Sequence, residues 1–234
     1  MRLARTAARF FGYAVAAVLF AVLLVQAWYF AHVLWWRNFN PSSTAFMQAR
    51  MDILQRKNPG AKLQHQWVDY ARISPQLKKA VVAAEDAKFM DHEGFDWEAI
   101  SKAIERNEKK GRIVAGASTI SQQLAKNLLL TGERSWVRKG QEAVITWMLE
   151  RVLTKRRILE LYLNFAEWGE GVFGAEAAAR FHFNTRASAL GAQESAYLAV
   201  ILPSPRRYDR GRITPYVAGR IGTILARMPA AQIP

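Results

Sequence analysis

The chain changes rhythm twice. From Phe10 to Trp36 it reads FFGYAVAAVLFAVLLVQAWYFAHVLWW, 27 residues with no charge and only Gln26 and His32 strongly polar. A helix of that length, at roughly 1.5 Å per residue, exceeds a hydrocarbon core of ~30 Å. Trp28, Tyr29, Trp35 and Trp36 supply an aromatic belt at its outer end. A cleaved signal peptide would have a shorter apolar stretch closed by a small-x-small site, which Trp28-Tyr29-Phe30 does not offer. The pattern predicts an uncleaved transmembrane anchor. Residues 37–66 then mix Asn, Pro, Ser, Gln and Lys around an Asn58-Pro59-Gly60 turn, which predicts a juxtamembrane connection with one short helix.

From Val68 onward the apolar positions recur at helical spacing. Ser74 followed by Pro75 reads as an N-cap and first helical residue, with Leu77, Ala80, Val81 and Ala84 on one face. Ser118 or its neighbour caps a helix to about Leu129, Ser135 precedes a long one, and Thr154 caps a third through Ile158, Leu161 and Tyr162. Further helices are expected at about 174–182 and 191–201, the last stopped by Pro203 and Pro205. Alternating strand patterns are scarce. The expected architecture is mainly α: a tail over 1–9, the anchor over 10–36, the connection over 37–66 and one helical domain over 67–234.

Composition adds a sign and several exclusions. Lys and Arg number 33 against 19 Asp and Glu, a formal charge of +14, and the first 36 residues hold three of the arginines and no acid. The excess therefore lies mostly in the helical domain and calls for an anionic partner: nucleic acid, lipid headgroups or a phosphorylated substrate. Arg2, Arg5 and Arg9 precede the anchor while Arg37 alone follows it closely, which puts the N-terminus in the cytoplasm and the domain outside. That placement disfavours nucleic acid. With no cysteine, a disulfide framework, a thiolate metal site and a Cys nucleophile are excluded.

Four stretches can carry chemistry. Glu85-Asp86 ends an apolar helix, where a desolvated carboxylate has the raised pKa of a general base or acid; the same pattern also suits a solvated helix end. Gly116 to Asn127 places Ser118 and Thr119 before a helix carrying Gln122, Gln123 and Lys126, either an anion- or sugar-binding N-terminus or a capped amphipathic helix. Arg138 and Glu142 share a face at i,i+4, and Lys126, Arg134, Arg138 and Lys139 gather four cations within 14 residues, enough to neutralise a diphosphate. Lys155 to Asn164 reads as a packing helix.

Taken in order, these blocks resemble the glycosyltransferase domain of peptidoglycan polymerases. That domain is shared by bifunctional penicillin-binding proteins and monofunctional biosynthetic peptidoglycan transglycosylases. E-D-x-x-F-x-x-H-x-G is met by Glu85, Asp86, Phe89, His92 and Gly94, and G-x-S-T-I-[ST]-Q-Q-x-x-K-N by Gly116 to Asn127. R-K-x-x-E is met by Arg138, Lys139 and Glu142, and I-L-x-x-Y-L-N ends at Asn164. The likeness runs over roughly residues 68–207 and departs at Phe181–Thr185, where relatives more often carry an aromatic pair and a lysine. With no S-x-x-K or K-T-G, a transpeptidase domain is not expected.

The resemblance implies a lysozyme-like helical glycosyltransferase domain with a membrane-proximal jaw, held at the inner membrane. It implies polymerisation of lipid II, with a lipid-linked glycan chain as donor. Glu85 would be the base, and Lys126 and Arg134 would hold the donor diphosphate. Glu142 would be a second acid, either ordering the cations or holding a divalent cation (Mg or Mn), none being obligatory. Ser118, Thr119, Gln122, Gln123, Arg138, Lys139 and Asn164 would line the cleft. Penicillin-binding and division proteins are the candidate protein partners. Two rival readings are a lysozyme-like glycan-cleaving enzyme, which leaves the cations unexplained, and an anchored scaffold, which leaves the intact acidic and basic blocks unexplained.

Overall fold

The computed structural model describes residues 2–114, 116–131, 135–208 and 213–234, with side chains from Arg9 onward. It separates into two compact units, Met1–Asn40 and Pro41–Pro234. The first is one helix, α1 (Arg2–Trp36), whose stretch Arg9–Trp36 is long and apolar enough to cross a membrane. Phe10, Phe11, Leu19, Phe20, Leu23 and Leu24 all stand exposed on it, as side chains that face hydrocarbon would.

The second unit is built from α2 (Ala45–Lys57), β1 (Gln64–His65), α3 (Pro75–Glu85), α4 (Trp97–Lys110), α5 (Ile120–Leu129), α6 (Trp136–Val152) and α7 (Lys155–Phe165). There follow β2 (Glu167–Gly169), β3 (Val172–Phe173), α8 (Ala175–Phe183), α9 (Ala192–Ile201), α10 (Pro205–Tyr208) and α11 (Pro215–Arg227). The mainly α expectation is met, and the three short strands form one sheet in the order β1-β3-β2, parallel between β1 and β3 and antiparallel between β3 and β2.

Capping chemistry explains where the helices start. Ser74 accepts from Gln76 N at 3.2 Å with Pro75 at the first helical position, Ser135 accepts from Arg138 N at 3.1 Å, and Thr154 from Arg157 N at 3.2 Å. At α5 the cap is Thr119 and not Ser118. Its hydroxyl accepts from Gln122 N while Gln122 Oε1 accepts from Thr119 N, a reciprocal capping box. Two helices depart from the sequence reading, α4 and α11. In α4 only Ala103 is buried, so it shows little core stripe to read. The start of α11, Thr214-Pro215, has the same form as Ser74-Pro75, and Thr214 caps it by accepting from Val217 N.

The segment read as a connection contributes α2 and β1 to the compact unit. Arg50 is buried and grips Glu167 with two nitrogens, Nε to Oε1 at 2.8 Å and an Nη to Oε2 at 3.0 Å. A bidentate pair between positions so far apart in the chain leaves no local periodicity, which is why the polar composition read as tether.

Around the future site, α3 packs on α9 and α11, and α5 lies between α6, α7 and α2. Leu77, Phe89, Ile120, Leu124, Ile145, Leu149, Ile158 and Trp168 are fully buried, each removal from water stabilising by roughly 1.5–3 kcal/mol. The turn into α8 depends on Gly174, at φ +86°, where a Cβ would sit 2.7 Å from the Asn164 carbonyl oxygen. Gly174→Ala is therefore expected to destabilise by about 2 kcal/mol through combined strain and clash. A melting temperature equal to wild type would show that the turn relaxes freely.

Candidate active site

Three elements converge on one carboxylate. Glu85 closes α3, so the helix wall of Val81 and Val82 stands behind it. Burial pushes its carboxyl above the ordinary range; the Gln123 hydrogen bond works against that, Asp86 adds to it, and Lys126 and Arg220 oppose it. Gln123 Nε2 on α5 donates to Glu85 Oε2 at 2.7 Å. Gln123 Oε1 in turn accepts from the Tyr162 hydroxyl on α7 at 2.9 Å.

Asp86 ties the same corner together. Its Oδ2 accepts from Ile120 N at 3.0 Å, at the start of α5, and its Oδ1 lies 2.9 Å from His92 Nε2. His92 Nδ1 accepts from Gly94 N at 3.1 Å, which leaves Nε2 as the donor to Asp86. Gly94, at φ +91°, is pressed so closely that a Cβ would lie 2.8 Å from Thr146. The carboxylate next to Glu85 thereby fixes the α3 terminus against the α5 N-terminus.

Two cavities adjoin this corner. The smaller, of about 290 Å³, is lined by Glu85, Ser118, Lys88 and Lys102 among others. Glu98 holds Lys88 and Lys102 together there. The larger, of about 690 Å³, is lined by Gln123, Lys126, Arg138, Arg50, Arg206 and Arg207 among others. Gln123 belongs to the wall of the larger cavity while its amide touches the acid of the smaller one.

Electrostatics distinguish the two cavities. Lys126 is held below its ordinary pKa chiefly by burial; Glu142 raises it, Arg138 and Lys139 lower it further, and Glu85 raises it. Buried Glu142 accepts from Arg138 Nη1 at 2.8 Å and pairs with Lys139. This is a cation cluster short of negative charge, the condition a phosphate or diphosphate would relieve. Both Glu142 oxygens are already occupied by cations, with Lys126 close by, so these residues do not fit a divalent cation held by Glu142.

Residues 51–229 match the Transglycosylase family profile. The chain is 56% identical over 230 residues to the biosynthetic peptidoglycan transglycosylase of Azoarcus sp., covering 98% of this chain and 99% of that one. It is 58% identical over 213 residues to the protein of the same name from Methylobacillus flagellatus, covering 91% and 93%. With the like-named protein of Dechloromonas aromatica it shares 57% over 212 residues, covering 91% and 92%. The chain belongs to the transglycosylase family.

Within that frame, the structure gathers Glu85, Gln123 and Lys126 at one corner, Ser118 on the rim of the smaller cavity, and Arg138, Lys139 and Glu142 along α6. It does not bring every predicted residue into the cleft. Gln122 is used up in the α5 cap, whereas Thr119 caps the same helix and donates its hydroxyl to the Gly94 carbonyl at 2.7 Å while lining the smaller cavity beside Ser118. Asn164 is wholly buried and its carboxamide clamps Val68, accepting from its N and donating to its O at 2.9 Å each, so it braces the fold and not the cleft. Arg134 lies outside the described residues. Conversely, Arg50, Tyr162, Arg206, Arg207 and Arg220 reach the site without having been singled out for it. Tyr162 and Asn164 sit two positions apart on α7, and only the fold shows that the first faces the cleft.

Proposed function

We propose that this chain is a peptidoglycan glycosyltransferase that extends a lipid-linked glycan with lipid II. The observation that carries the reading is a half-buried carboxylate, Glu85, with a raised pKa, poised beside a cleft walled by more cations than anions, in a chain whose relatives are named biosynthetic peptidoglycan transglycosylases.

Glu85 takes the proton from the acceptor sugar's 4-hydroxyl. The freed oxygen attacks the donor's anomeric carbon from the face opposite the diphosphate. A β-1,4 bond forms, the carbon–oxygen bond to the phosphate breaks, and undecaprenyl diphosphate leaves with inverted configuration at the sugar. Lys126 and Arg138, with Arg134, hold the departing diphosphate where its negative charge grows. Glu142 orders these cations between turnovers. The apolar helix Arg9–Trp36 anchors the enzyme in the inner membrane, N-terminus in the cytoplasm, so that the basic domain meets its anionic, membrane-bound substrates outside.

The test is incubation of the purified, detergent-solubilised chain with labelled lipid II and separation of the products on a gel. A ladder that lysozyme digests supports polymerisation; shortened glycan from added sacculi would support cleavage instead. Lys126→Ala is expected to lower kcat/KM on the order of tenfold, the loss of one charge-assisted contact to phosphate. A variant with unchanged kcat/KM would remove Lys126 from the diphosphate site.

A further inference from the structure

The carboxamide between Glu85 and Tyr162 has two unlike ends. With its NH₂ toward Glu85 it favours the charged carboxylate; with its C=O there, it accepts from the protonated acid and favours that form. The structure shows the first arrangement, Gln123 Nε2 against Glu85 at 2.7 Å and Gln123 Oε1 against the Tyr162 hydroxyl at 2.9 Å. The phenol decides between them. Tyr162 is 1% exposed, and Gln123 Oε1 is the acceptor its hydroxyl finds among the described residues. Turning the amide over would strand a buried hydroxyl proton, and an unmade hydrogen bond in the interior is costly.

We propose that Tyr162 is a positioning residue for the base: by donating to Gln123 Oε1 it locks the carboxamide with NH₂ against Glu85, which keeps Glu85 in the form that can accept a proton. This rests on the reading of Glu85 as the base. Burial holds the phenol well above its ordinary pKa, with Glu85 and Asp86 adding to the effect, so it remains a donor across the working range. The charges acting on Glu85 are Asp86 beside it, Lys126 on α5 and Arg220 on α11. Tyr162→Phe removes none of them, so a change in the titration of Glu85 in that variant reports the amide.

The experiment is the pH profile of kcat/KM for lipid II polymerisation by the full chain, for wild type, Tyr162→Phe, Gln123→Ala and the double variant. Without the lock the carboxylate loses a fixed donor, and its proton is held more tightly. The acid limb of Tyr162→Phe is expected to move up by about one pH unit, a loss of about tenfold on the acid side that fades as pH rises. Gln123→Ala should move the limb the same way, and the double variant no further than Gln123→Ala alone. A limb that stays put in Gln123→Ala overturns the proposal even if Tyr162→Phe fails to fold. So does a Tyr162→Phe profile lowered equally at every pH, or a double variant whose shifts add. Failure of the underlying reading looks different: Glu85→Gln would then polymerise like wild type.

Discussion

Glu85→Gln is expected to slow polymerisation by about 10²–10⁴ while melting no lower than wild type. The rate follows from chemistry: glutamine keeps the shape and the contact with Gln123 but cannot take up a proton. The stability follows from the direction of the pKa shift. Burial raises the Glu85 pKa in the folded chain above its unfolded value. Its contribution to stability is therefore full below the unfolded pKa and is lost as pH rises through the folded one. At neutral pH the charged acid costs the fold something, and a neutral amide removes that cost. A structural residue would show the opposite pairing, lowered melting with modest loss of rate. Thermal unfolding beside the gel assay separates the two, and wild-type-like turnover in a folded Glu85→Gln protein would force the base to be sought elsewhere. The same shift makes wild-type activity fall on the acid side as Glu85 takes up its proton.

Local signals in the sequence were enough to place most of the helices. Ser74-Pro75, Ser135 and Thr154 each cap the helix they announce, because a cap and its partner lie within three residues. What escaped is what depends on distant partners. Arg50 belongs to the cleft wall because Glu167, 117 positions away, holds it there. Arg220 reaches Glu85 because α11 packs on α3. The helix α4 went unread because it packs few residues into the core, with Trp97 and Ile104 exposed and Ala103 buried. The family blocks converge in the fold on the Glu85 corner, but a motif lists cleft-facing and bracing residues alike. Lys126 and Gln122 stand four positions apart in one block, one turned to the cleft and the other used up in a cap.

Glu142 carries the second large effect, and its loss should be felt first as instability. Its carboxylate is the anion that holds Arg138 and Lys139 together on one face of α6, with Lys126 of α5 in the same field. The acid side chain is 4% exposed, Arg138 19% and Lys139 44%. Breaking a buried pair strands its partner and typically costs 3–5 kcal/mol; with Lys139 able to turn to water, Glu142→Ala is expected to cost about 3 kcal/mol. Glu142→Gln should lose nearly as much, because the missing quantity is charge and not volume. Both variants leave cations facing one another without an anion, so inorganic diphosphate should raise their melting temperatures more than that of wild type. That difference connects the fold to the reaction. On the proposed mechanism, Glu142 balances in the resting enzyme charges that the leaving diphosphate would balance during turnover. Variants that melt with wild type, or that gain nothing extra from diphosphate, would show that Glu142 is an ordinary surface partner and that the cations are not assembled around an anion.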